Sequence, residues 1–427
     1  MVEAKVNIQE RPGYKHTKLG WIPEDWEFAP LDSVTPNGKK YGIVDGPFGS
    51  NLKTIHYRSS GIPIITSGYV TDGAFYADEY LFVEQELYDR EKRSSVKGGD
   101  IVMAKIGARC GASAILPDDH ETGILSGNAL KISVDEARHS NFYVWSWLWH
   151  LYQTGKIELL KTVGAQPAIS MSSLKKYKLP LPPLPEQQKI AQILRTWDKA
   201  ITKTEQLIAK KQERKKGLMQ HLLTGKKRFK EFEDEKLRQL EIGNVIKFSG
   251  GSQPPRSTFR FEEQEGFIRL VQNRDYKSDK YKTYIPEKLA KKHCDETDIM
   301  IGRYGPPLFQ IFRGIKGAYN VALIKAIPDE SQLLKEYCWY FINRPELQKY
   351  IDGFSQRSGG QTGIEMDRLN AFPLPLPSLE EQQRITSVLS SADQEIASFQ
   401  NQLTKLKEQK KGLMQKLLTG EVRVKID

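Results

Sequence analysis

The chain has 427 residues, a formal net charge of +11 at pH 7 and three widely separated cysteines, Cys110, Cys294 and Cys338. The length allows two or three domains with full cores, and an odd number of distant cysteines argues against a disulfide framework or a cysteine metal site. The sequence lacks both a run of about 18 apolar residues and the apolar core of a signal peptide. We therefore expect a cytoplasmic protein that does not enter the membrane, and the positive charge suits a polyanionic partner.

The first block, residues 1–178, is rich in strand-like runs. Residues 40–57 predict a strand that enters and leaves a glycine-rich turn containing Gly46 and Gly49. Further strand-like runs lie at Ile62–Ile65, Asp100–Ile106 and Ala129–Val134. The aromatic run Phe142–Leu151 predicts a helix packed on a sheet, because base-stacking platforms are usually exposed and carry fewer aromatic residues.

A long stretch then follows that occurs twice, at residues 179–225 and again at residues 374–420. After Leu184 and Leu379 the two copies align without a gap at a constant offset of 195 residues. They share the segments EQQ, KKGLMQ and LLTG. A repeat of this length indicates a duplicated unit of structure.

Each copy predicts one long helix. Pro185 stands where a first-turn proline is tolerated, Ser378 and Glu381 have capping-box spacing, and both copies end at a Thr-Gly that suits a left-handed C-terminus. Steps of four and three trace an apolar seam of about five heptads. The seam residues are Ile190, Leu194, Trp197, Ile201 and Ile208 in the first copy, and Ile385, Leu389, Ile396, Phe399, Leu403 and Leu406 in the second.

The likeness of the two helices favours packing on each other about a pseudo-twofold axis, over two unrelated helices that each pack on a separate domain. If that axis is perpendicular to the helices, they run antiparallel. Lys215 and Lys410 interrupt the seam and leave three alternatives open: they extend to solvent, set the register, or face another chain.

The second block, residues 229–373, repeats the plan of the first. The run DIVMAKIG at Asp100–Gly107 matches DIMIGRYG at Asp298–Gly305, at an offset of 198. Asn128 resembles Asn320, and Leu31 matches Leu240 at an offset of 209. The chain is therefore a tandem duplication in which the helices stayed alike while the blocks diverged, as two domains of one fold with different targets would do.

Catalytic motifs are missing from the sequence. It has no phosphate-cradling GxxxxGK[ST] loop, no HExxH or paired histidine spacing and no G-x-S-x-G elbow. The segment Gly305–Leu308 lacks both the polar residue and the aromatic residue of an amino-methyltransferase tetrapeptide. These absences argue against catalysis or metal binding by this chain alone.

Together these features resemble the specificity (S) subunit of type I restriction–modification systems. The resemblance lies in two variable blocks, each followed by a P-L-P-P-L-x-E-Q-x-x-I segment and a helix that ends K-K-x-L-M-Q-x-L-L-T-G. GWIPEDW at Gly20–Trp26, DGPFGSNL at Asp45–Leu52 and LTGKKRF at Leu223–Phe229 also look like recurrent pieces of that family. One departure is that EFEDEKLRQL, which opens the second block, lacks the tryptophan of EDWEFAPL.

The resemblance implies an α+β fold: two similar α/β target-recognition domains separated by two long conserved helices that form an antiparallel, pseudo-twofold coiled coil. The first target-recognition domain would be residues 1–178 and the second 229–373. The conserved spacer helices would lie in residues 179–228 and 374–427, the latter with a C-terminal tail. Each domain would read one half of a bipartite target in double-stranded DNA, and the helices would set the gap between the halves.

The resemblance also implies partners. Two modification (methyltransferase) subunits would dock on the helices, and two restriction (motor–nuclease) subunits would complete the complex. This chain would carry no cofactor. S-adenosylmethionine would belong to the partner methyltransferase, and ATP and Mg to the partner restriction subunit.

The candidate DNA-binding residues are polar and basic side chains near predicted turns. Arg and Lys suit guanine, while Asn and Gln suit adenine; the alternative for each residue is a surface position or a turn former. The candidates are Ser50, Asn51, Lys53, Lys105 and Arg109 in the first domain, and Gln253, Arg256, Arg269, Gln272, Asn273, Arg274, Arg303 and Tyr304 in the second.

Two other classes of protein compete with this interpretation. A coiled-coil tether of two protein-interaction domains would show no salt-dependent DNA binding. A self-sufficient nuclease would cleave DNA with only a divalent metal. The missing motifs speak against the nuclease, and the positive charge speaks against the tether.

Overall fold

The computed structural model describes residues 11–37, 40–164, 166–305, 307–354 and 363–426, and the side chain of Ser50 lies outside this described set. The chain divides into two compact units. Unit 1 contains residues 1–203 and 403–427, and unit 2 contains residues 204–402. The two long helices each contribute one part to either unit.

Unit 1 is built mainly of short strands, since its apolar and β-branched runs are separated by turns rich in glycine and proline. Its strands are β1 Tyr14–Thr17, β2 Gly20–Pro23, β3 Glu27–Pro30, β4 Ile43–Asp45, β5 Ile62–Ile65, β6 Val70–Thr71, β7 Ala74–Phe75, β8 Phe82–Val83, β9 Ser95–Val96, β10 Ile101–Ala104, β11 Ser113–Ile115, β12 Gly123–Leu125, β13 Ala129–Ile132 and β14 Lys178–Leu181. Its helices are α1 Gln85–Arg90, α2 Asn141–Gln153, α3 Met171–Lys176 and the first part of α4 Leu184–Leu222.

Unit 2 repeats this mixture of elements. Its strands are β15 Arg238–Glu241, β16 Ile246–Gly250, β17 Phe267–Val271, β18 Tyr284–Pro286, β19 His293–Cys294, β20 Ile299–Gly302, β21 Ile311–Phe312, β22 Gly317–Tyr319, β23 Leu323–Pro328 and β24 Pro373–Leu376. Besides the last part of α4, its helices are α5 Ile242–Val245, α6 Lys335–Ile342, α7 Pro345–Phe354, α8 Met366–Asn370 and the first part of α9 Leu379–Leu418.

The two units have the same sheet topology. Unit 1 has sheets of order β11-β10-β13-β4 and β8-β5-β12-β9, and unit 2 has sheets of order β21-β20-β23-β16 and β18-β17-β22-β19. In each second sheet one central pair is parallel, β5 with β12 and β17 with β22. This agreement, strand for strand, confirms two similar α/β domains in an α+β protein.

The predicted aromatic helix is α2, and it lies in the core of unit 1. Tyr143 and Trp147 are buried, and their polar atoms are satisfied: Trp147 Nε1 donates to Tyr143 Oη at 3.1 Å, and Tyr143 Oη donates to the Pro180 carbonyl at 2.9 Å. Trp145 Nε1 donates to the Ser113 carbonyl on β11. Aromatic residues carry much apolar area into a core when their polar tips find partners, so the prediction of a helix packed on the sheet is confirmed.

The glycine-rich segment after β4 differs from the prediction. The strand ends at Asp45, and the chain then makes two 3-10 turns, Gly49–Asn51 and Thr54–His56, instead of a second strand. Gly49 has φ +60°, which glycine adopts at little cost. Gly46 is required for space, because a Cβ there would lie 2.0 Å from the Ser126 carbonyl oxygen.

The long helices pack together in each unit. In unit 1 the start of α4 and the end of α9 share one apolar core, which includes Ile190, Leu194, Met414 and Leu417. In unit 2 the end of α4 and the start of α9 share another, which includes Met219, Leu223, Ile385 and Leu389. Since the start of one helix meets the end of the other in both units, the helices run antiparallel.

The two seam lysines pair across the helices. Lys215 donates to Asp393 at 2.5 Å in unit 2, and Lys410 donates to Asp198 in unit 1. The same offset of 195 residues relates the two pairs, so the duplicated helices make one bridge twice. Of the three alternatives that the sequence left open, the structure selects pairing with the facing helix, a device that fixes register.

The predicted seam residues vary in burial. The buried ones are Ile190, Leu194, Ile208, Ile385, Leu389 and Ile396, and the half-buried ones are Trp197, Ile201, Phe399, Leu403 and Leu406. The deepest of them lie near the start of each helix, where the sheet domain also packs on the helix.

The segment before each helix is a strand and not part of the helix. Residues Lys178–Leu181 pair with β3, and Pro373–Leu376 pair with β15, both antiparallel. The helices then begin at Leu184 and Leu379, and the glycines after their ends, Gly225 and Gly420, have the expected left-handed φ of +70°.

Leu237 at the opening of unit 2 occupies the position that Trp26 occupies in unit 1. Gly420 faces Trp26 in unit 1, and Gly225 faces Leu237 in unit 2. The strand registers agree, since Pro30 pairs with Lys178 and Glu241 pairs with Pro373. The residue of unit 2 that is structurally equivalent to Leu31 is therefore Ile242. The alignment of Leu31 with Leu240 was wrong by two residues.

Candidate functional site

Loops from both sheets of unit 1 meet at one edge. Asp45 pairs with Leu130 and Ala104 pairs with Ala129, so β4 and β10 end where β13 begins. β5 and β12 are parallel and end together on the other sheet. We call residues 46–52, 66–69, 105–112 and 126–128, which leave these strands, the loop edge of unit 1.

Unit 2 has a loop edge with the same backbone frame, at residues 251–255, 272–276, 303–305, 307–310 and 320–322. Three hydrogen bonds occur in both units at 2.8–3.1 Å. In unit 1, Gly46 N donates to Ala129 O, Ser126 N to Ile65 O, and Lys105 N to Asn128 O. The equivalent bonds in unit 2, in the same order, run from Gly251 N to Leu323 O, from Asn320 N to Val271 O, and from Arg303 N to Ala322 O. Positions in the two edges can therefore be compared one by one.

Most candidates in unit 1 lie in or beside this edge. Asn51 is in the 3-10 turn after β4, Lys53 follows that turn, and both are exposed. Arg109 donates to the Thr71 hydroxyl at 2.9 Å and to the Val70 carbonyl at 3.2 Å. Ser50 belongs to the same 3-10 turn, but its side chain lies outside the described set.

Lys105 is engaged within the protein. Its Nζ lies 2.5 Å from Asp45 Oδ2, with side-chain exposures of 13% and 19%, and it stands 4.2 Å from the centre of the Phe48 ring. Gly127 packs against the same ring, since a Cβ there would lie 3.1 Å from a ring carbon. The ammonium thus ties the β4 loop to β10, and little of its charge faces solvent.

In unit 2, Arg303 takes the place of Lys105 but has no such carboxylate, because Gly250 ends β16 where Asp45 ends β4. Among the described residues no ion pair is seen for Arg303, and its guanidinium lies 5.6 Å from the Tyr304 ring centre. Gln253 and Arg256 are exposed after β16, and Gln253 Nε2 donates to the Pro254 carbonyl at 3.3 Å.

The run from Arg269 to Arg274 forms a polar cluster around a buried carboxylate. Asp275 accepts from the Gln272 backbone N–H at 3.1 Å, and burial raises its pKa while Arg269 and Arg274 oppose the rise. Gln272 and Arg274 both donate to the Thr283 hydroxyl at 3.1 Å. Asn273 lies against Gly302.

Arg269 stands apart from the loop edge, on β17 opposite Tyr284. It donates to Asp279 at 3.0 Å, and this hydrogen bond lowers the pKa of Asp279. The structure therefore brings Gln253, Gln272, Asn273, Arg274, Arg303 and Tyr304 onto or beside one edge, while Arg269 supports that cluster from the strand.

Two loops of unit 1 escaped the sequence reasoning. The turn Ser67–Tyr69 follows β5 as Asn273–Tyr276 follows β17, but it contains no basic residue that would mark it in the sequence. The loop Ser126–Asn128 lies between β12 and β13, and Asn128 is exposed. The earlier match of Asn128 to Asn320 was wrong, because the shared hydrogen bonds place Ser126 at Asn320 and Asn128 at Ala322.

Over the part of the chain that the structure describes, no group of three or more histidine, cysteine, aspartate or glutamate residues could hold a metal ion. No helix in the same ranges has the length and apolar character needed to cross a membrane. The described side chains at the loop edges provide hydrogen-bonding groups and charges.

A duplicated sheet domain, with polar loops on a shared frame and two antiparallel helices, defines a modular recognition protein. The family model described as the type I restriction modification DNA specificity domain matches residues 23–211 and 235–408. The chain belongs to this family.

Relatives and solved structures agree with this assignment. The provisionally assigned MjaX specificity subunit of a Methanocaldococcus jannaschii type I restriction enzyme is 27% identical over 98% of this chain and 99% of its own. The EcoKI specificity subunit of Escherichia coli K12 is 23% identical over 94% of this chain and 90% of its own. The S subunit of a type I restriction–modification system from M. genitalium has the same fold, with a TM-score of 0.52 at 13% identity over 92% of this chain and 96% of its own.

Proposed function

We propose that this chain is the DNA-recognition subunit of a type I restriction–modification complex, with each variable domain reading one half of a bipartite target. The observation that carries the proposal is the pair of loop edges. They share three backbone hydrogen bonds but present different side chains, such as Lys105 against Arg303. A common frame with divergent reading groups is what two non-identical half-sites require.

The proposed target-recognition domains are residues 1–178 and 229–373, and residues 179–228 and 374–427 hold the spacer helices. Lysine and arginine contacts to phosphates would supply affinity that falls with salt. A few side chains at the loop edges would select bases in the major groove. The long helices would set the distance between the half-sites.

The proposed complex supplies the chemistry through its other subunits. This chain would be non-catalytic and would carry no cofactor. Two methyltransferase subunits with S-adenosylmethionine would dock on the helices, and two motor–nuclease subunits with ATP and Mg would complete the assembly. As part of the same proposal, the subunit would work in the cytoplasm.

The experiment that tests the function is methylation mapping. The chain is co-expressed with its modification subunit, and adenine methylation is mapped across a genome by single-molecule sequencing. We expect a split motif with a fixed gap, methylated on both strands. An assembled complex that adds no such motif would overturn the proposal and favour a protein-binding tether, and cleavage of DNA by the isolated chain with a divalent metal would favour a nuclease.

A further inference from the structure

The side-chain amide of Asn128 is held in one orientation at the loop edge of unit 1. Its Oδ1 accepts from the Ser67 backbone N–H at 3.2 Å and from the Ser126 hydroxyl at 2.5 Å. A backbone N–H can only donate, so the oxygen and nitrogen of the amide are assigned by this contact. The Asn128 carbonyl also accepts from Lys105 N at 2.8 Å, which fixes the backbone.

The same contacts leave the amide nitrogen facing outward. Asn128 is exposed, and among the described residues its Nδ2 group has no hydrogen-bond partner. Because Ser67 N and the Ser126 hydroxyl both donate to its oxygen, the side chain presents two N–H donors and no comparably free acceptor. A side chain fixed in this way loses little conformational entropy when it binds a ligand.

The equivalent position in unit 2 has no such group. Arg303 N donates to the carbonyl of Ala322, as Lys105 N donates to that of Asn128. Asn320, the counterpart of Ser126, instead uses its Oδ1 to accept from the Ala322 backbone N–H at 3.1 Å. The two domains thus differ in chemistry at one place on a shared frame, as residues that read different half-sites should.

We propose that Asn128 is a specificity-determining residue that selects guanine in the half-site of the first domain. In the major groove only guanine presents two adjacent acceptors, N7 and O6, without a neighbouring donor. Adenine places an amino donor beside N7, so its usual partner is an amide with both donor and acceptor free. The proposal rests on the proposed function and names a base contact within it.

The decisive variant is Asn128→Asp, which has almost the same shape. One carboxylate oxygen keeps the contacts with Ser67 and Ser126, and the other replaces the outward amino group with an acceptor. An acceptor repels guanine N7 and O6 and favours the amino donor of cytosine. Methylation mapping of the complex should show one guanine of the first half-site replaced by cytosine, with methylation of the original target reduced roughly tenfold or more.

Two further variants keep the test decisive. Asn128→Ala places in unit 1 the residue that unit 2 carries at this position, and it should relax the preference at the same base. Asn401→Asp makes the same charge change at an exposed position on α9 and should leave the target unchanged. In every variant the half-site of the second domain serves as an internal control for assembly.

The outcomes separate this inference from the function on which it depends. The wild-type complex is mapped first, and the absence of a split motif there would be a failure of the proposed function. If wild type methylates a split motif and both Asn128 variants keep its full sequence preference, the guanine contact is wrong. Loss of the whole half-site in Asn128→Ala, with the complex assembled, would assign Asn128 a structural role and would also overturn the inference.

Discussion

The ion pair between Lys105 and Asp45 limits the contacts that this lysine can make with a ligand. As a lysine after a strand it has the character of a phosphate or guanine contact, but Asp45 lies 2.5 Å from its ammonium. Arg303 holds the same place in unit 2, directly after β20, but Gly250 ends β16 where Asp45 ends β4. The pairing depends on one residue 60 positions away along the chain, and no local pattern reveals it.

A buried histidine in unit 1 should make stability depend on pH. His150 lies on α2, and burial lowers its pKa to about 4, with smaller effects from Lys156 and Lys411. Because the unfolded chain binds the proton near pH 6.5 and the folded chain does not, stability is lost as the pH falls from about 6.5 towards 4. We expect a loss of roughly 2 kcal/mol between pH 7 and pH 5.

Replacing His150 with phenylalanine tests this prediction. The variant His150→Phe keeps a ring beside Trp147 and should flatten the pH dependence of urea unfolding. Tryptophan fluorescence is a suitable probe, because six of the seven tryptophans lie in residues 1–203. The exposed His221 supplies the control variant His221→Phe, and an unchanged pH slope in His150→Phe would contradict the assignment.

At the scale of elements, the repeated EQQ segment holds each long helix to its sheet domain. In unit 1, Glu186 is buried in the first turn of α4 and accepts from Arg423 at 2.6 and 2.8 Å and from Trp26 Nε1 at 3.1 Å. In unit 2, Glu381 accepts from Arg228 through Nε and Nη2. Each arginine follows the end of the other long helix. Each pair therefore joins the first turn of one long helix to the segment that follows the other.

The glutamine that follows each glutamate binds the start of another helix, which is α2 in unit 1 and α6 in unit 2. The Oε1 atom of Gln187 accepts from Ser140 N, the N-cap of α2, and that of Gln382 accepts from Leu334 N, the N-cap of α6, each at 2.9 Å. Side-chain acceptors at these positions satisfy amides that a helix start leaves unpaired. The repeat of EQQ therefore has a structural cause. Half of the capping box that the spacing predicts is present, since Glu381 N donates to Ser378 Oγ at 3.4 Å, while the Glu381 carboxylate binds Arg228.

Removing the arginine of unit 1 should destabilise the unit measurably. Arg423→Met leaves the buried carboxylate of Glu186 without a cation, and we expect a loss of roughly 1–3 kcal/mol in the free energy of unfolding. The double variant Arg423→Met with Glu186→Gln removes the charge and should recover much of that loss. Urea unfolding followed by fluorescence compares the two, and a double variant no more stable than the single would contradict this account.

The helices and central strands were predictable because their periodicity is strong and local. The seam from Ile385 to Leu406 and the apolar run Ile101–Ala104 needed no knowledge of distant contacts. The strand Lys178–Leu181 was missed because its residues join directly onto the helical repeat. The loop edges were found only in part, since the fixed amide of Asn128 depends on contacts with Ser67 and Ser126 that form when two sheets meet.

At the scale of the whole molecule, the duplication gives both units the same ion pair between α4 and α9. The bridges Lys215–Asp393 and Lys410–Asp198 fix the register of α4 on α9 once in each unit. An insertion into one helix alone would break this matching. Equal insertions into both helices, between residues 201 and 208 and between residues 399 and 406, should preserve the two bridges.

Such a paired insertion tests whether the helices set the distance between half-sites. Four residues in each helix add about 6 Å, roughly two base pairs of DNA. Methylation is measured on duplexes that carry both half-sites separated by gaps of graded length. We expect the preferred gap to lengthen while both half-sites keep their sequences, because the loop edges lie outside the inserted segments. A preferred gap of the original length would contradict the proposed role of the helices, and a changed half-site would contradict the independence of the two reading surfaces.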